Sequence, residues 1–469
     1  MPHHEGRLPS RTETALLKAL LEHPDGLTRQ EIAAATGLTA STVNALLRGE
    51  HGLRDVLAEG KADRAGPGGG PRPKILRLRR GIYIAGIEIG HGHVRVGIAD
   101  LRGRLLPARD GERAHYTQVP RRVFWERLNT LNWIAGEPGG EPGALPRRLE
   151  EVFRHNDQGA PGALEKPLVL AVGVSVAGSV DPTNGRLLCA RTAIPTSPVE
   201  GNIAYGDWDG ESAGTGLRDR LRHGDQSDLL GWTATRFRSI GAANLCAQAE
   251  LHDGELERVS EALFLKWTGE VSAAVVIGGS VYTGHKGLAG GLPRHAIFNE
   301  GHSVEFGKPS GEQLSVAAGI RRLSKGLKEE LDLRPIRDDE LLRDYFRSEV
   351  LSIAHGDRGT KEQVAAAKRR LAGTAKTLGE AVAPSVEMLN PARVLIGGGA
   401  FEPRDWPIVA EYLLEGLRNS LVAPGETPRV ELAAHTDHPA LHGAVISRLN
   451  PDHLVPTLLT AADAAVRTA

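Results

Sequence analysis

The sequence predicts a mixed α/β protein in which a short helical head precedes a much larger body of strands and helices. Three observations carry this. Residues 11–48 show short apolar patterns of helical period, with capping signals between them. A Gly/Pro/Arg-rich run follows, up to residue 80. Beyond it, Val/Ile/Ala-rich strand patterns (81–110 and 166–190, each read as a β-hairpin) give way from residue 240 to helices alternating with strands. Among these are a strand–turn–strand at 261–284, a long helix at 360–389 and a buried strand at 393–397.

Length and composition set the frame. A chain of 469 residues exceeds one ordinary core, so two or more domains are expected. Hydrophobic content of 40% and charged content of 25% suit a folded soluble protein, and with only 4% aromatics the core must lean on Leu, Val, Ile and Ala. The net charge of −1 hides an asymmetry: residues 1–80 carry 13 basic against 9 acidic side chains, the remainder 44 against 49. A mildly basic head on an acidic body fits a nucleic-acid-binding module joined to a cytoplasmic domain. The two cysteines, Cys189 and Cys246, have neither Cys nor paired-His neighbours, which excludes a disulfide framework and a Cys-based zinc site. The start has no apolar signal region, and no window approaches 18 uninterrupted apolar residues, so no membrane partner is expected.

In the head, Thr12 to His23 places Ala15, Leu16, Ala19 and Leu20 on one helical face. Pro24-Asp25-Gly26 ends that helix. Thr28-Arg29-Gln30-Glu31 is a capping box opening a second helix, Arg29 to Thr36, which Gly37 breaks in a left-handed turn while Leu38 plugs the core. Thr39 caps a third helix, Ala40 to Arg48, with Val43, Leu46 and Leu47 inward. Helix, Gly turn, then a helix beginning with small polar residues is the grammar of a helix-turn-helix. On this reading Thr39, Ala40, Ser41, Thr42, Asn44 and Arg48 face double-stranded DNA. Asn44 is suited to adenine edges; Ser41 and Thr42 are suited to phosphates. A three-helix structural bundle with solvated polar residues is the alternative.

Residues 53–80 carry 8 basic against 3 acidic side chains. Gly66 to Gly70 cannot pack a core, and Pro71-Arg72-Pro73 holds an arginine on a stiff stalk. Such a segment suits a wing whose Arg72 enters the minor groove, with Lys74, Arg77, Arg79 and Arg80 on phosphates. A flexible basic linker would have the same composition.

The body resembles a known family. Gly86-Ile87-Glu88-Ile89-Gly90-His91-Gly92 through Asp100 is similar to the first phosphate-loop hairpin of the ROK proteins, the repressor, open-reading-frame and sugar-kinase group. Val172-Gly173-Val174-Ser175-Val176-Ala177-Gly178-Ser179-Val180-Asp181 resembles their GxSxPGxVD stretch, and Ala243-Asn244 through Glu250 the helix after their catalytic loop. Val281 to Gly290 resembles the GxxGxAGE segment, and Leu389-Asn390-Pro391 with Leu395 to Gly399 the late strand and glycine turn. Five weak motifs in the family's order, behind a helix-turn-helix, span about residues 11–450. The resemblance implies a two-lobed, actin-like ATPase fold behind a winged helix-turn-helix. The expected division is residues 1–80 for the head, 81–200 for lobe 1 (completed by a C-terminal helix, 440–469) and 201–439 for lobe 2.

The resemblance fails where phosphoryl transfer needs it. The transferred group requires a carboxylate base and amide-lined phosphate loops. The family's base is the Asp of Asn-Asp-x-Asn, but the matching stretch here is Gly241-Ala242-Ala243-Asn244, and Ala242 accepts no proton. The loop usually written Asp-Ile-Gly-Gly-Thr is Glu88-Ile89-Gly90-His91-Gly92, and Gly-Thr-Gly-x-Gly becomes Thr268-Gly269-Glu270-Val271-Ser272. The sugar-gripping Glu is Gly291, the zinc His aligns with Arg294 or, after a one-residue slip, His295, and the Cys-rich zinc segment is a Cys-free run from Phe306 to Leu314. His285, His295 and His302 read more naturally as solvated than as metal ligands. No catalytic residue, ATP site or metal cofactor is therefore expected. Polar groups surviving around the implied cleft are Glu88, Ser175, Asp181, Asn244 and Lys266, the first four candidate ligand-binding residues; Asn244 could equally cap its helix. Ser175 lacks the second glycine of a nucleophile elbow.

The sequence thus predicts a cytoplasmic DNA-binding regulator, read as a repressor, acting as a homodimer or higher homo-oligomer. Its kinase-like body would be catalytically silent, sensing a sugar or other small-molecule effector. An active ATP-dependent sugar kinase with a helical appendage, and a ligand-independent DNA-binding dimer scaffold, are the rival readings.

Overall fold

The computed structural model describes residues 10–48, 53–61, 72–90, 93–112, 116–118, 127–137, 140–189, 213–223, 236–269, 271–291, 320–328, 330–335 and 342–468. The first helix, α1 (Arg11–Glu22), starts earlier than its apolar pattern suggested, because Ser10 and Glu13 form a capping box. It buries Leu16, Leu17, Ala19, Leu20 and Leu21. After β1 (Leu27–Thr28), the expected Thr28/Glu31 box opens α2 (Arg29–Thr36), and Gly37 ends it at φ +70°. In α3 (Ala40–Arg48) Val43 is fully buried and Leu46 partly so. A single turn, α4 (Leu53–Val56), leads to β2 (Leu57–Lys61), which pairs with β3 (Lys74–Leu78). With β1 against the other edge of β3, the order is β1-β3-β2. A helix-turn-helix backed by a small antiparallel sheet is a winged helix-turn-helix.

The head does not end in a linker. Only Arg79 separates β3 from β4 (Arg80–Gly90), the central strand of the body. Arg79 is fixed by its N–H on the Val56 carbonyl (2.8 Å) and its Nε on the Leu57 carbonyl (3.1 Å). This corrects its assignment to DNA phosphates: the guanidinium satisfies backbone carbonyls that the junction would otherwise strand.

β4 and β5 (His93–Ala99) form the expected hairpin, with β6 (Tyr116–Gln118) beyond it. Helices α5 (Arg127–Ala135) and α6 (Ala144–Asn156) precede β7 (Ala163–Val176). The second expected hairpin is mostly one long strand, because β7 pairs parallel with β4 and with β10 (Arg236–Gly241). Only the short β8 (Ser179–Val180) and β9 (Leu187–Cys189) pair as a hairpin. The unbroken apolar run of β7 reports burial on both faces, which a hairpin arm does not need. Helix α7 (Ala213–His223) lies between β9 and β10, and the first sheet reads β10-β7-β4-β5-β6. It therefore extends to Gly241, beyond the boundary expected at residue 200.

Helix α8 (Ala242–Asp253) leads to a second sheet. There β11 (Ala262–Trp267), β12 (Val271–Ile277) and β13 (Ser280–Tyr282) form the expected meander. Then come α9 (Ile320–Leu327), α10 (Leu342–Tyr345), a π-helical stretch (Phe346–Leu351), α11 (Ser352–His355) and the long α12 (Lys361–Leu389). The buried β14 (Arg393–Gly397), α13 (Trp406–Ser420) and β15 (Arg429–Leu432) complete it, in the order β13-β12-β11-β14-β15. The chain then returns to the first sheet through α14 (Pro439–Ile446), which packs on β4 and β7, and ends in α15 (Pro451–Thr468).

The expected C-terminal helix is thus two helices, and α15 does more than complete a lobe. Leu454, Val455 and Leu458 share one core with Leu16, Leu17 and Leu20 of α1, Leu53 of α4, and Leu168 and Leu170 of β7. Among the described residues no helix is long and apolar enough to cross a membrane.

The seat of α14 depends on a missing side chain: a Cβ on Gly173 would lie 1.9 Å from the Ala444 carbonyl oxygen. Gly173→Ala should destabilise the protein at or above the upper end of the roughly 1–3 kcal/mol typical of overpacking. A urea-denaturation midpoint equal to wild type would show that the helix can retreat.

Candidate functional site

Two polar regions stand apart from the cores. The first is the outer face of the head. Thr39 Oγ1 accepts the Thr42 N–H (3.2 Å) and contacts the Ser41 and Thr42 hydroxyls at 2.7 and 2.9 Å, so the start of α3 is locked by its own hydroxyl cluster. Thr39, Ala40 and Ser41 are exposed; Thr42 and Asn44 are half-buried. Asn44 is engaged from behind: Arg29 donates from Nε to its Oδ1 (3.1 Å) and from its terminal nitrogen to Glu59 on β2 (2.7 Å). The amide most suited to reading a base therefore also braces α3 against the wing. The side chain of Arg48 lies outside the described residues, as do residues 62–71.

What the structure adds is a charge pattern at the wing. Lys74 is opposite Lys61 in the β2–β3 ladder; both are exposed, and exposed Arg72 is two residues upstream. Like charges directly across a strand pair repel, so the pair gains when an anion sits over it. Lys61 escaped the sequence reading because its pairing with Lys74 follows from register, which the Gly-rich loop hid. Arg77 is half-buried, with its Nε enclosed.

The second region lies between the two sheets of the body. Glu88 and Arg95 are register partners on β4 and β5, their side chains joined at 2.8 Å, and His93 lies 3.3 Å from the other carboxylate oxygen. All three are buried or nearly so, and burial alone would raise the Glu88 carboxyl. The Arg95 guanidinium and His93 outweigh it and hold the group well below the usual carboxylate range. Burial, then the field of Arg95, lowers His93 to about 4. His438, at the start of α14, and Lys266 of β11 lie within the electrostatic reach of this group. The His93 ring occupies the space beside Gly90, where a Cβ would meet its Cε1 at 2.1 Å. The opening that a phosphate-loop glycine would leave is filled from within; His91, expected to crowd it, lies outside the described residues, as does Glu270.

The four expected ligand residues fare differently. Glu88 is consumed by its ion pair. Ser175, its register partner on β7, is fully buried, with no hydrogen-bond partner for Oγ among the described residues. Asp181 turns back on its own chain, accepting the Thr183 N–H (2.9 Å) and hydroxyl (2.5 Å). These bonds lower its carboxyl below the usual value. Asn244 sits half-buried in the first turn of α8, which Gly241 caps without a side-chain bond, so Asn244 is not the cap. Ala242, at the position of the family's base, packs in an apolar cluster with Cys246, Phe264 and Ala274.

Residues 14–49 match the IclR helix-turn-helix domain family. The "Putative xylose repressor" of Caldicellulosiruptor sp. (strain Rt8B.4) is 23% identical over 444 residues, covering 92% of this chain and 93% of its own. A crystal structure of a ROK family transcriptional regulator, a homologue of the E. coli MLC protein, superposes with a TM-score of 0.59 at 14% identity, covering 97% of this chain and all of that one. A ROK family glucokinase from Streptomyces griseus, in complex with glucose and AMPPNP, gives 0.51 at 16%, covering 77% and 98%. This chain has the ROK fold behind a helix-turn-helix head. The actin-like body expected from the five motifs is present in their order.

The neutral, buried His93 makes stability pH-dependent. An unfolded histidine takes a proton below its ordinary value of 6.5, whereas the folded one resists until about 4. Stability is therefore lost as pH falls through that window, by roughly 1.4 kcal/mol per pH unit for this residue. His93→Gln, which does not titrate, should show a shallower loss between pH 6.5 and 4 in denaturant melts. Parallel slopes would contradict a buried neutral His93.

Proposed function

We propose that the protein is a DNA-binding transcriptional regulator of the repressor type, whose kinase-like body senses rather than catalyses. The observation that carries this is the exposed start of α3 standing beside a wing with Lys61 and Lys74 paired across β2–β3. A helix that can enter a major groove and a basic strand pair that favours an anion together suit duplex DNA. The xylose-repressor relative and the regulator fold support the same reading. We assign Asn44 to base edges in the major groove, Ser41 and Thr42 to the phosphates beside it, and Arg72, Lys74 and Lys61 to the backbone or minor groove. The protein would bind a two-fold-related operator as a homodimer in the cytoplasm.

For the body we propose catalytic silence, on Ala242 at the base position and on the Glu88–His93–Arg95 cluster beside Gly90. The effector class that the fold suggests is a sugar, since a neighbour of this fold was solved with glucose. The buried, unpartnered Ser175 hydroxyl and half-buried Asn244 are the polar groups left for it.

The purified chain should retard duplex DNA from upstream of its own coding region, with affinity falling steeply as salt rises. Lys74→Ala and Lys61→Ala should each weaken binding to all duplexes and reduce the salt slope by about 1, whereas Asn44→Ala should relax sequence preference. No retardation of that DNA, or unaltered slopes in both lysine variants, would contradict the assignment. ATP-dependent phosphorylation of a hexose or N-acetylhexosamine would overturn catalytic silence.

A further inference from the structure

A separate cluster lies outside both regions, where the body's two sheets are joined. His435 follows β15 as the chain leaves the second sheet, His442 sits in α14 against the first, and Asp253 ends α8, which carries the chain the other way. One ligand atom from each of the three falls within 4.8 Å of the others. The His435 and His442 rings meet edge-on, 62° between their planes, with Nδ1 atoms 3.3 Å apart, and His435 Nε2 is 2.9 Å from the Asp253 carboxylate. Two imidazole nitrogens at that spacing share either one proton or one ion. For a tetrahedral ion with metal–nitrogen bonds of about 2.05 Å, two ligating nitrogens lie about 3.3 Å apart.

The surroundings hold the ligands in place. Fully buried Glu250 accepts the N–H groups of His435 (2.7 Å) and Ala434 (3.2 Å), which pins the loop that carries His435. A backbone hydrogen bond at Gly103 holds His442, and Nδ1 is the nitrogen turned toward His435. Outer partners of this kind orient metal-binding histidines. The Asp253 side chain is half exposed, so its carboxylate can swing from the His435 ring to an ion and an ion can enter from solvent. His252, exposed and close enough for its charge to act on His442, or water, can complete the coordination.

We propose that His435, His442 and Asp253 bind a divalent transition-metal ion of the zinc class. Two imidazoles and one carboxylate suit zinc or cobalt and disfavour the all-oxygen preferences of magnesium and calcium. The ion bridges the two chain segments that pass between the sheets, so its effect is to tie the lobes together at their connection. The site owes nothing to the cysteine-dependent motif that the sequence lacks.

The test uses the full-length protein, stripped with chelator and titrated with cobalt(II) and zinc(II). We expect one equivalent of cobalt to produce visible bands of tetrahedral nitrogen/oxygen coordination, displaced by zinc. His435→Ala and His442→Ala should weaken zinc binding at least tenfold, and Asp253→Asn should weaken it about tenfold, while His285→Ala leaves it unchanged. Asp253 is exposed, so its variant keeps the test open should a histidine variant fail to fold; unchanged metal-free circular dichroism confirms this. Absence of stoichiometric binding by wild type, or full retention in His435→Ala and Asp253→Asn, overturns the proposal.

Discussion

A single hydrophobic seam fixes the relation between head and body. Leucines of α1, α4 and α15 and of strand β7 exclude water together, and β3 runs into β4 across one residue. Burying each such leucine is worth about 1.5–3 kcal/mol, far more than the exposed Lys18–Asp452 ion pair that also links head to C-terminal helix. The recognition helix is therefore held by the body's own core, and a change of shape between the sheets has a packed route to the head. Coupling by rigid contact needs such a continuous path.

Inside the body the same economy governs charge. Glu88 is expensive to bury alone, and Arg95 and His93 compensate it by direct contact. The result is an ion cluster where a phosphate loop would have exposed amides. The fold keeps the kinase-like sheets while the polar lining has turned inward.

The legible parts of the sequence were those written in local chemistry. Thr28-x-x-Glu31, Gly37 and the Ala40–Arg48 period foretold the head, because capping and periodicity act within a few residues. The β4–β5 hairpin was legible too, and its register carried an unread message: pairing Gly90 with His93 puts Arg95 opposite Glu88 and His93 on the same face. The second supposed hairpin failed because β7 finds partners 83 to 87 residues away in β4 and 65 away in β10, and such pairing leaves no local trace. Arg79 was misread for the same reason in miniature, its partners Val56 and Leu57 being set by the geometry of the junction. The His435–His442–Asp253 cluster spans almost two hundred residues of sequence, so no spacing rule could have assembled it.

The central claim is that the DNA-reading head and the body share one core. Amide hydrogen exchange on wild type and Leu458→Ala tests it directly, since Leu458 belongs to α15, outside the helix and wing assigned to DNA. Protection should fall in α1, α4 and β7 as well as in α15. A loss of protection confined to α15, with the head unaffected, would show that the head folds on its own and is merely tethered.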